Sequence, residues 1–189
     1  DQPAILSILK TRHAVTGDAR TPLGHADACE TCHGPGASHA EDPDQTMPVR
    51  FGTAHPTTPQ DATCLGCHQG GNRLHWPESI HATSQLGCAD CHNPMQRLSQ
   101  SGLLAKTTIN GTCFTCHAQQ RLEFNKRSHM PVPEGKMSCV DCHNPHDLKG
   151  SLDLTSRATT LAGGDSGASL EPGKPDDSLL IETLRYGNP

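Results

Sequence analysis

The sequence predicts a fold that is mostly coil with short α-helices and little or no β-structure. Hydrophobic residues make up only 33% and aromatic residues 3% of the 189 residues, a composition that borders on that of disordered chains. The chain also contains 18 glycines and 15 prolines, which interrupt regular structure and favour short turns. No stretch of useful length alternates apolar and polar residues as a strand does. A bare polypeptide of this composition would not bury an ordinary core.

The pattern Cys-x-x-Cys-His occurs five times and uses all ten cysteines. Two cysteines at i and i+3 lie on one face of a helical turn, where they can bind the two vinyl groups of a porphyrin, and the next histidine can bind its iron. Disulfides or zinc sites are the alternatives, but neither requires a histidine after every second cysteine. We therefore expect five covalently attached haem c groups.

The expected attachment residues are Cys29, Cys32, Cys64, Cys67, Cys88, Cys91, Cys113, Cys116, Cys139 and Cys142. The expected iron ligands beside them are His33, His68, His92, His117 and His143.

Haem would resolve the conflict between composition and folding. Each porphyrin offers a large apolar surface, so five of them would form most of the core, and the polypeptide would be a wrapper held by thioether bonds and iron ligands. We expect a multihaem cytochrome c fold wrapped around a chain of five haems, and an apo chain that does not fold. Residues 1–146 are the expected pentahaem domain, and residues 147–189 are a haem-free C-terminal tail with a terminal helix.

The N-terminal residues 3–12 predict a helix with one apolar stripe, formed by Ile5, Leu6, Ile8 and Leu9. His13 ends this helix, either as a terminal cap or as an iron ligand. Beyond it the five motifs begin 35, 24, 25 and 26 residues apart, which is a loose repeat of attachment modules separated by turns.

Two further helices are expected downstream. Thr112 can cap a helix that carries Cys113 and Cys116 and runs on through Leu122. In the tail, Asp176 or Asp177 can cap a final helix with an apolar face of Leu179, Leu180, Ile181 and Leu184. The tail contains no cysteine and no histidine, so we expect it to cover the last haem without binding one.

Eight histidines remain as candidates for the sixth iron ligands: His13, His25, His39, His55, His75, His81, His129 and His146. Five sixth positions can therefore all be filled by histidine, whereas the four methionines cannot fill them. Methionine ligation raises the haem potential relative to two imidazoles, so this set predicts low-potential carriers.

Residues 10–146 resemble the first half of the periplasmic decahaem cytochromes of the DmsE and MtrA type, and more distantly the pentahaem NrfB type. The matching stretches are residues 19–22, 32–36, 70–76, 128–132 and 134–139. The resemblance implies sixth ligands at His13, His39, His75, His81, His129 and His146, and leaves His25 and His55 as surface residues.

The chain departs from that family in two places. The attachment motif that usually precedes the equivalent of His13 is absent, and the second half is replaced by a segment similar to planctomycete-type cytochrome c. Six ligand positions then serve five haems. One histidine, His13 or His146, is expected either to bind an iron in a neighbouring protein or copy, or to be a solvated remnant.

The formal net charge is −5 before any cofactor, and haem propionates would make the chain more acidic, which disfavours nucleic-acid binding. No run of 18 apolar residues is present to span a membrane. Because c-type haem is attached outside the cytoplasm, we expect a periplasmic or extracellular product whose signal peptide has been removed.

These observations favour an electron carrier over an enzyme. Expected partners are other redox proteins, either cytochromes or a membrane-bound oxidoreductase. Alternatives are a reductase of nitrite or a similar oxyanion, which needs a five-coordinate iron and catalytic side chains, and a protomer of an extracellular cytochrome filament or oligomer.

Overall fold

The structure is a computed structural model that describes residues 6–24, 26–44, 47–147, 157–163, 168–179 and 181. Within these ranges the chain is coil and turn joined by short helices, and its β-structure is an isolated antiparallel bridge between His92 and Leu104. The predicted fold class, mostly coil with short α-helices, is confirmed. The α-helices are α1 (Glu30–His33), α2 (Ala37–Glu41), α3 (Thr57–Leu65), α4 (Ile80–Thr83), α5 (Cys88–Cys91), α6 (Ile109–Cys113), α7 (Ala118–Phe124) and α8 (Arg157–Ala162).

Six 3-10 helices join these elements in the part of the chain that the structure describes. They are Arg12–Ala14, Pro22–Gly24, Gly71–Arg73, Trp76–Glu78, Cys139–Asp141 and Pro175–Asp177. No helix in the described part of the chain is long and apolar enough to cross a bilayer.

The chain divides into two compact units. One contains Asp1–Gln69 and Gln85–Cys142, and the other contains Gly70–Ser84 and His143–Pro189. In the first unit, α3 packs against α5, and α6 packs against the 3-10 helix Cys139–Asp141. In the second unit, α4 packs against the 3-10 helix Trp76–Glu78.

Apolar burial by the polypeptide itself is small. Among the described residues, the buried apolar side chains are Trp76, 6% exposed, and Val132, 5% exposed. Large apolar side chains lie open instead, including Ile80 at 68% and Leu122 at 70% exposure. This agrees with the expectation from composition that another group must supply the apolar core.

The predicted helix from Thr112 through Leu122 is wrong in its boundaries. The N-cap of α6 is Thr108, whose Oγ1 accepts a hydrogen bond from the Gly111 amide at 3.0 Å. The helix ends at Cys113, and α7 begins separately at Ala118. The break occurs because His117 leaves helical geometry, with φ −87° and ψ 57°.

The two predicted terminal helices are described only in part. Residues 6–8 are helical and His13 lies in the 3-10 helix Arg12–Ala14, whereas Ile5 lies outside the described residues. In the tail, Asp176 and Asp177 lie in a 3-10 helix. Residues 179 and 181 are helical, and residues 180 and 182–189 lie outside the described residues.

Candidate haem-binding sites

The first four Cys-x-x-Cys-His motifs share one backbone turn, in which the histidine amide donates to the carbonyl of the first cysteine. The N···O distances are 3.0 Å from His33 to Cys29, 2.9 Å from His68 to Cys64, 2.9 Å from His92 to Cys88 and 3.0 Å from His117 to Cys113. A single α-helical turn of this kind places residues i and i+3 on one face. Each motif thus presents two sulfurs together with an adjacent imidazole.

The fifth motif has a tighter turn. Its 3-10 helix Cys139–Asp141 ends with the Cys142 amide 3.4 Å from the Cys139 carbonyl oxygen. Side chains three residues apart are eclipsed in a 3-10 helix, so these two sulfurs also remain on one side of the turn.

Backbone carbonyls orient two of the motif histidines. His33 Nδ1 lies 2.9 Å from the Val49 oxygen, and His92 Nδ1 lies 2.6 Å from the Gly102 oxygen. Because a carbonyl only accepts, Nδ1 must carry the proton, which leaves the Nε2 lone pair available to a metal. The His33 ring also meets Phe51 edge-on, with ring centres 5.3 Å apart.

His81, a sixth-ligand candidate, is oriented in the same way. Its Nδ1 lies 3.0 Å from the oxygen of Pro145, beside the backbone that carries His146. The His146 ring in turn lies 5.9 Å from the buried Trp76 ring. The fold therefore brings two sixth-ligand candidates, 65 residues apart in sequence, to neighbouring positions.

His129 is engaged on both ring nitrogens. Its Nδ1 contacts the Lys126 oxygen, and its Nε2 lies 2.9 Å from Glu134 Oε1. The hydrogen bond to Glu134 raises the pKa of His129. An iron bound at Nε2 would have to displace Glu134.

His13 faces the second motif. Its ring centre lies 6.0 Å from that of His68, and the two ring planes are nearly perpendicular at 86°. Burial, followed by the charge of His68, lowers the pKa of His13 and favours the neutral imidazole that binds metals. Its Nδ1 is buried without a hydrogen-bond partner. This pair of neighbouring imidazoles could hold the haem of the second motif.

The remaining predicted ligands occupy both half-buried and exposed positions. His39 is half-buried in α2, and His75 lies exposed before the 3-10 helix Trp76–Glu78. His117 and His143 are exposed beside their cysteines. Of the two residues expected at the surface, His55 is half-buried, and His25 lies outside the described residues.

First cysteines of neighbouring motifs interact in two pairs. Their mutual interaction raises the pKa of Cys88 and lowers that of Cys64. It likewise raises the pKa of Cys139 and lowers that of Cys113, and the Cys139 thiol donates a hydrogen bond to Asn110 Oδ1 at 3.4 Å. Because α3, which carries Cys64, packs against α5, and α6, which ends at Cys113, packs against Cys139–Asp141, the second motif adjoins the third and the fourth adjoins the fifth.

Weaker electrostatic contacts connect the remaining neighbours. The charges of Cys64 and Cys67 act on Cys32, after burial, to raise its pKa. The charge of Cys116 acts on Cys91, after burial and Asp90, in the same direction. These two interactions act between successive motifs, the first with the second and the third with the fourth.

The donor set fits haem c. Each motif offers two sulfurs for thioether bonds and one imidazole, and no disulfide pairs the cysteines. A structural zinc site needs four ligands around one point, and no group of even three His, Cys, Asp or Glu side chains is gathered in that way within the described ranges.

Sequence reasoning missed two residues that act on the motifs, Asp61 and Asn110. Asp61 Oδ1 accepts from the Cys88 amide at 2.8 Å, and Asn110 Oδ1 accepts from the Cys139 amide at 2.9 Å. A sequence signal existed, because each lies three residues before the first cysteine of its own motif.

Comparisons with known proteins match almost the whole cysteine-containing region. A family model described as cytochrome c-type protein NrfB-like matches residues 29–101, one described as cytochrome c3 matches residues 80–155, and one described as planctomycete cytochrome C matches residues 139–189. The multihaem cytochrome MtrA of Shewanella baltica (strain OS185) is 32% identical over 152 residues, which cover 79% of this chain and 44% of that relative.

The chain therefore spans less than half the length of this curated relative. The predicted resemblance to NrfB-like and MtrA-type cytochromes, with a planctomycete-type segment at the C-terminus, is confirmed. With its five attachment motifs, the chain belongs to the multihaem c-type cytochromes.

Proposed function

We propose that this cytochrome relays electrons through five haem c groups to or from a partner redox protein. The observation that carries the proposal is the packing of successive motifs, since Asp61 of the second motif accepts from the Cys88 amide of the third, and Asn110 of the fourth accepts from the Cys139 amide of the fifth. Such packing favours several adjoining redox centres over a single isolated one. When bound, each haem iron gains or loses one electron.

The ten motif cysteines hold the haems in this proposal, and the five motif histidines bind the iron. The sixth ligands come from the six family-like positions, His13, His39, His75, His81, His129 and His146. Two imidazoles on each iron leave no open position for a substrate, which is why a carrier role is preferred to a reductase role. Residues 1–146 form the haem-bearing part, and residues 147–189 are a haem-free tail.

His13 is assigned to the second motif. If the second motif held a haem, His13 and His68 would be the two imidazoles that hold its iron. The His13 and His68 centres are 6.0 Å apart. We therefore propose that His13 binds an iron within its own chain. Of the two histidines that could be in excess over the five irons, His146 is then the better candidate.

A periplasmic or extracellular location goes with this role, because c-type haem is attached outside the cytoplasm. A partner would be a second cytochrome or a membrane-bound oxidoreductase. The formal charge of −5 favours docking to a basic or neutral surface on that partner.

Intact mass spectrometry tests the cofactor count. The mature chain is expected to exceed its polypeptide mass by five haem groups, because each of the five motifs supplies a complete pair of thiols. The control is the same sample after chemical cleavage of the thioether bonds, which should return the polypeptide mass. A shift of four or fewer haems in fully matured protein would contradict the assignment.

Near-infrared magnetic circular dichroism tests the carrier role through the iron ligands. All five irons are expected to be low-spin with two histidines, and to bind neither cyanide nor nitrite at equilibrium. A band characteristic of histidine/methionine ligation would contradict the prediction that the haems have low reduction potentials. A high-spin fraction that binds nitrite would favour the reductase instead.

A further inference from the structure

Two segments of the chain repeat one arrangement of side chains. The first segment is residues 61–91, in which Asp61 precedes the second motif and its side chain accepts a hydrogen bond from the third. The second segment is residues 110–142, in which Asn110 precedes the fourth motif and its side chain accepts a hydrogen bond from the fifth. The two acceptor distances to the cysteine amides, 2.8 and 2.9 Å, agree closely. We call these segments the first and second dihaem modules.

The repeat extends to the backbone amide one residue before each of these two cysteines. In the first module the Gly87 amide donates to Asp90 Oδ2 at 2.7 Å, and in the second the Ser138 amide donates to Asp141 Oδ2 at 2.7 Å. The sequence Cys-x-Asp-Cys-His-Asn-Pro begins at both Cys88 and Cys139 and at no other motif. The repeating element is thus a pair of motifs, whereas the sequence spacing indicated only single attachment modules.

The side chains at positions 61 and 110 form bridges within each module. Asp61 lies on α3, one turn before Cys64, and accepts from the first amide of the next attachment turn. The helix α3, which carries Cys64, packs against α5, which carries Cys88. In the matured chain both cysteines would hold haems, so this bridge would fix the attachment turn of one haem against that of the next.

We infer that Asp61 and Asn110 are positioning residues that clamp the paired attachment turns, so that the haems of motifs two and three, and of motifs four and five, form closely coupled pairs. The inference rests on the proposed electron-carrier function. Asp61 and Asn110 link the two attachment turns of each module by direct hydrogen bonds. We therefore expect the coupling to be strongest within a module.

The two clamps differ in what they require chemically. Asn110 Nδ2 also donates to the Val132 oxygen at 3.2 Å and the Met137 oxygen at 2.8 Å. A carboxylate has no hydrogen to donate and would place a second oxygen against these two carbonyls. Asp61 Oδ1 accepts from the Cys88 amide, a hydrogen bond that the amide oxygen of an asparagine can also accept.

In the first module, α3 also lies very close to Gly87. A Cβ atom added to Gly87 would lie 2.9 Å from Asp61 Oδ1 and 3.0 Å from Thr57 Cγ2. The second module has Ser138 at this position, because α6 begins only at Ile109 and lacks the turn that carries Thr57 in α3. The clamp is retained although the surrounding packing differs.

A reciprocal exchange tests the clamp in the haem-loaded protein. The variants are Asp61→Asn, Asp61→Ala, Asn110→Asp and Asn110→Ala, with Asp18→Asn as the control because Asp18 pairs with Arg20 away from the motifs. The readout is the bisignate Soret circular dichroism signal of coupled haems, after mass spectrometry has shown five haems. Asp61→Asn and Asp18→Asn are expected to keep the full signal.

The other three variants are expected to lose the contribution of one pair and to keep that of the other. An unchanged signal in Asp61→Ala would overturn the clamp, and so would equal losses in Asp61→Asn and Asp61→Ala. If Asp61→Ala fails to mature, Asp61→Glu moves the carboxylate by one methylene and should weaken the signal with five haems retained. A full signal in Asp61→Glu would also overturn the inference.

Failure of the clamp and failure of the proposed function give different results. A wild-type protein with five-coordinate, substrate-binding iron refutes the carrier role whatever the variants do. An unchanged Soret signal in Asp61→Ala, with all irons six-coordinate, refutes only the clamp.

Discussion

Replacing Cys64 and Cys67 together by alanine is expected to remove one haem and to divide the row of the remaining four. The second motif lies against the third, since Asp61 beside it accepts from the Cys88 amide, and it follows the first motif along the chain. Loss of its porphyrin also leaves a cavity at least as large as that of a deleted aromatic side chain, which costs about 3–5 kcal/mol of folding stability or more. Mass spectrometry, chemical unfolding and Soret circular dichroism measure these three effects.

The matched control is the double replacement of Cys29 and Cys32 by alanine. It also removes one haem, but at the end of the row, so the other four stay contiguous. We expect a smaller loss of stability and of the Soret coupling signal than in the interior variant. Equal losses in the two variants would contradict the proposed row of haems, in which the second motif is interior and the first is terminal.

The variant His13→Ala is expected to convert one of the five irons from low-spin to high-spin in the isolated monomer. The physical reason is the pairing of His13 with His68, whose ring centres lie 6.0 Å apart. Loss of one imidazole leaves an open position on the iron of the second motif, which should then bind cyanide. Electron paramagnetic resonance and magnetic circular dichroism would measure the high-spin fraction.

His55→Ala is the control for this experiment, because the family resemblance assigns no iron to His55. It should leave all five irons low-spin. If His13→Ala also stayed fully low-spin and lost assembly with a neighbour instead, His13 would be a ligand between proteins, and its place beside His68 would need another explanation.

The sequence was sufficient for those features that depend on residues close together in the chain. Cys64, Cys67 and His68 lie within one helical turn, so their relation follows from local backbone geometry. The scarcity of apolar residues likewise predicted a chain of short helices without a large core of its own, and the exposure of Ile80 and Leu122 agrees.

Helix boundaries were less predictable. Thr112 satisfies the residue preference for an N-cap, but Thr108 holds that position, and Thr112 instead donates its hydroxyl to the Thr108 oxygen. Propensity cannot distinguish two threonines four residues apart when the attachment turn decides where the helix must end.

The sequence by itself determined that the chain is a multihaem c-type cytochrome, because five unbroken motifs consume every cysteine and each is a local unit of five residues. Only the tertiary structure decided which motifs adjoin, that His13 faces His68, and that Asp61 and Asn110 each hold the following motif. Those contacts join residues 27 to 55 positions apart through turns whose directions are set by long-range packing. Spacing along a coil-rich chain does not specify them.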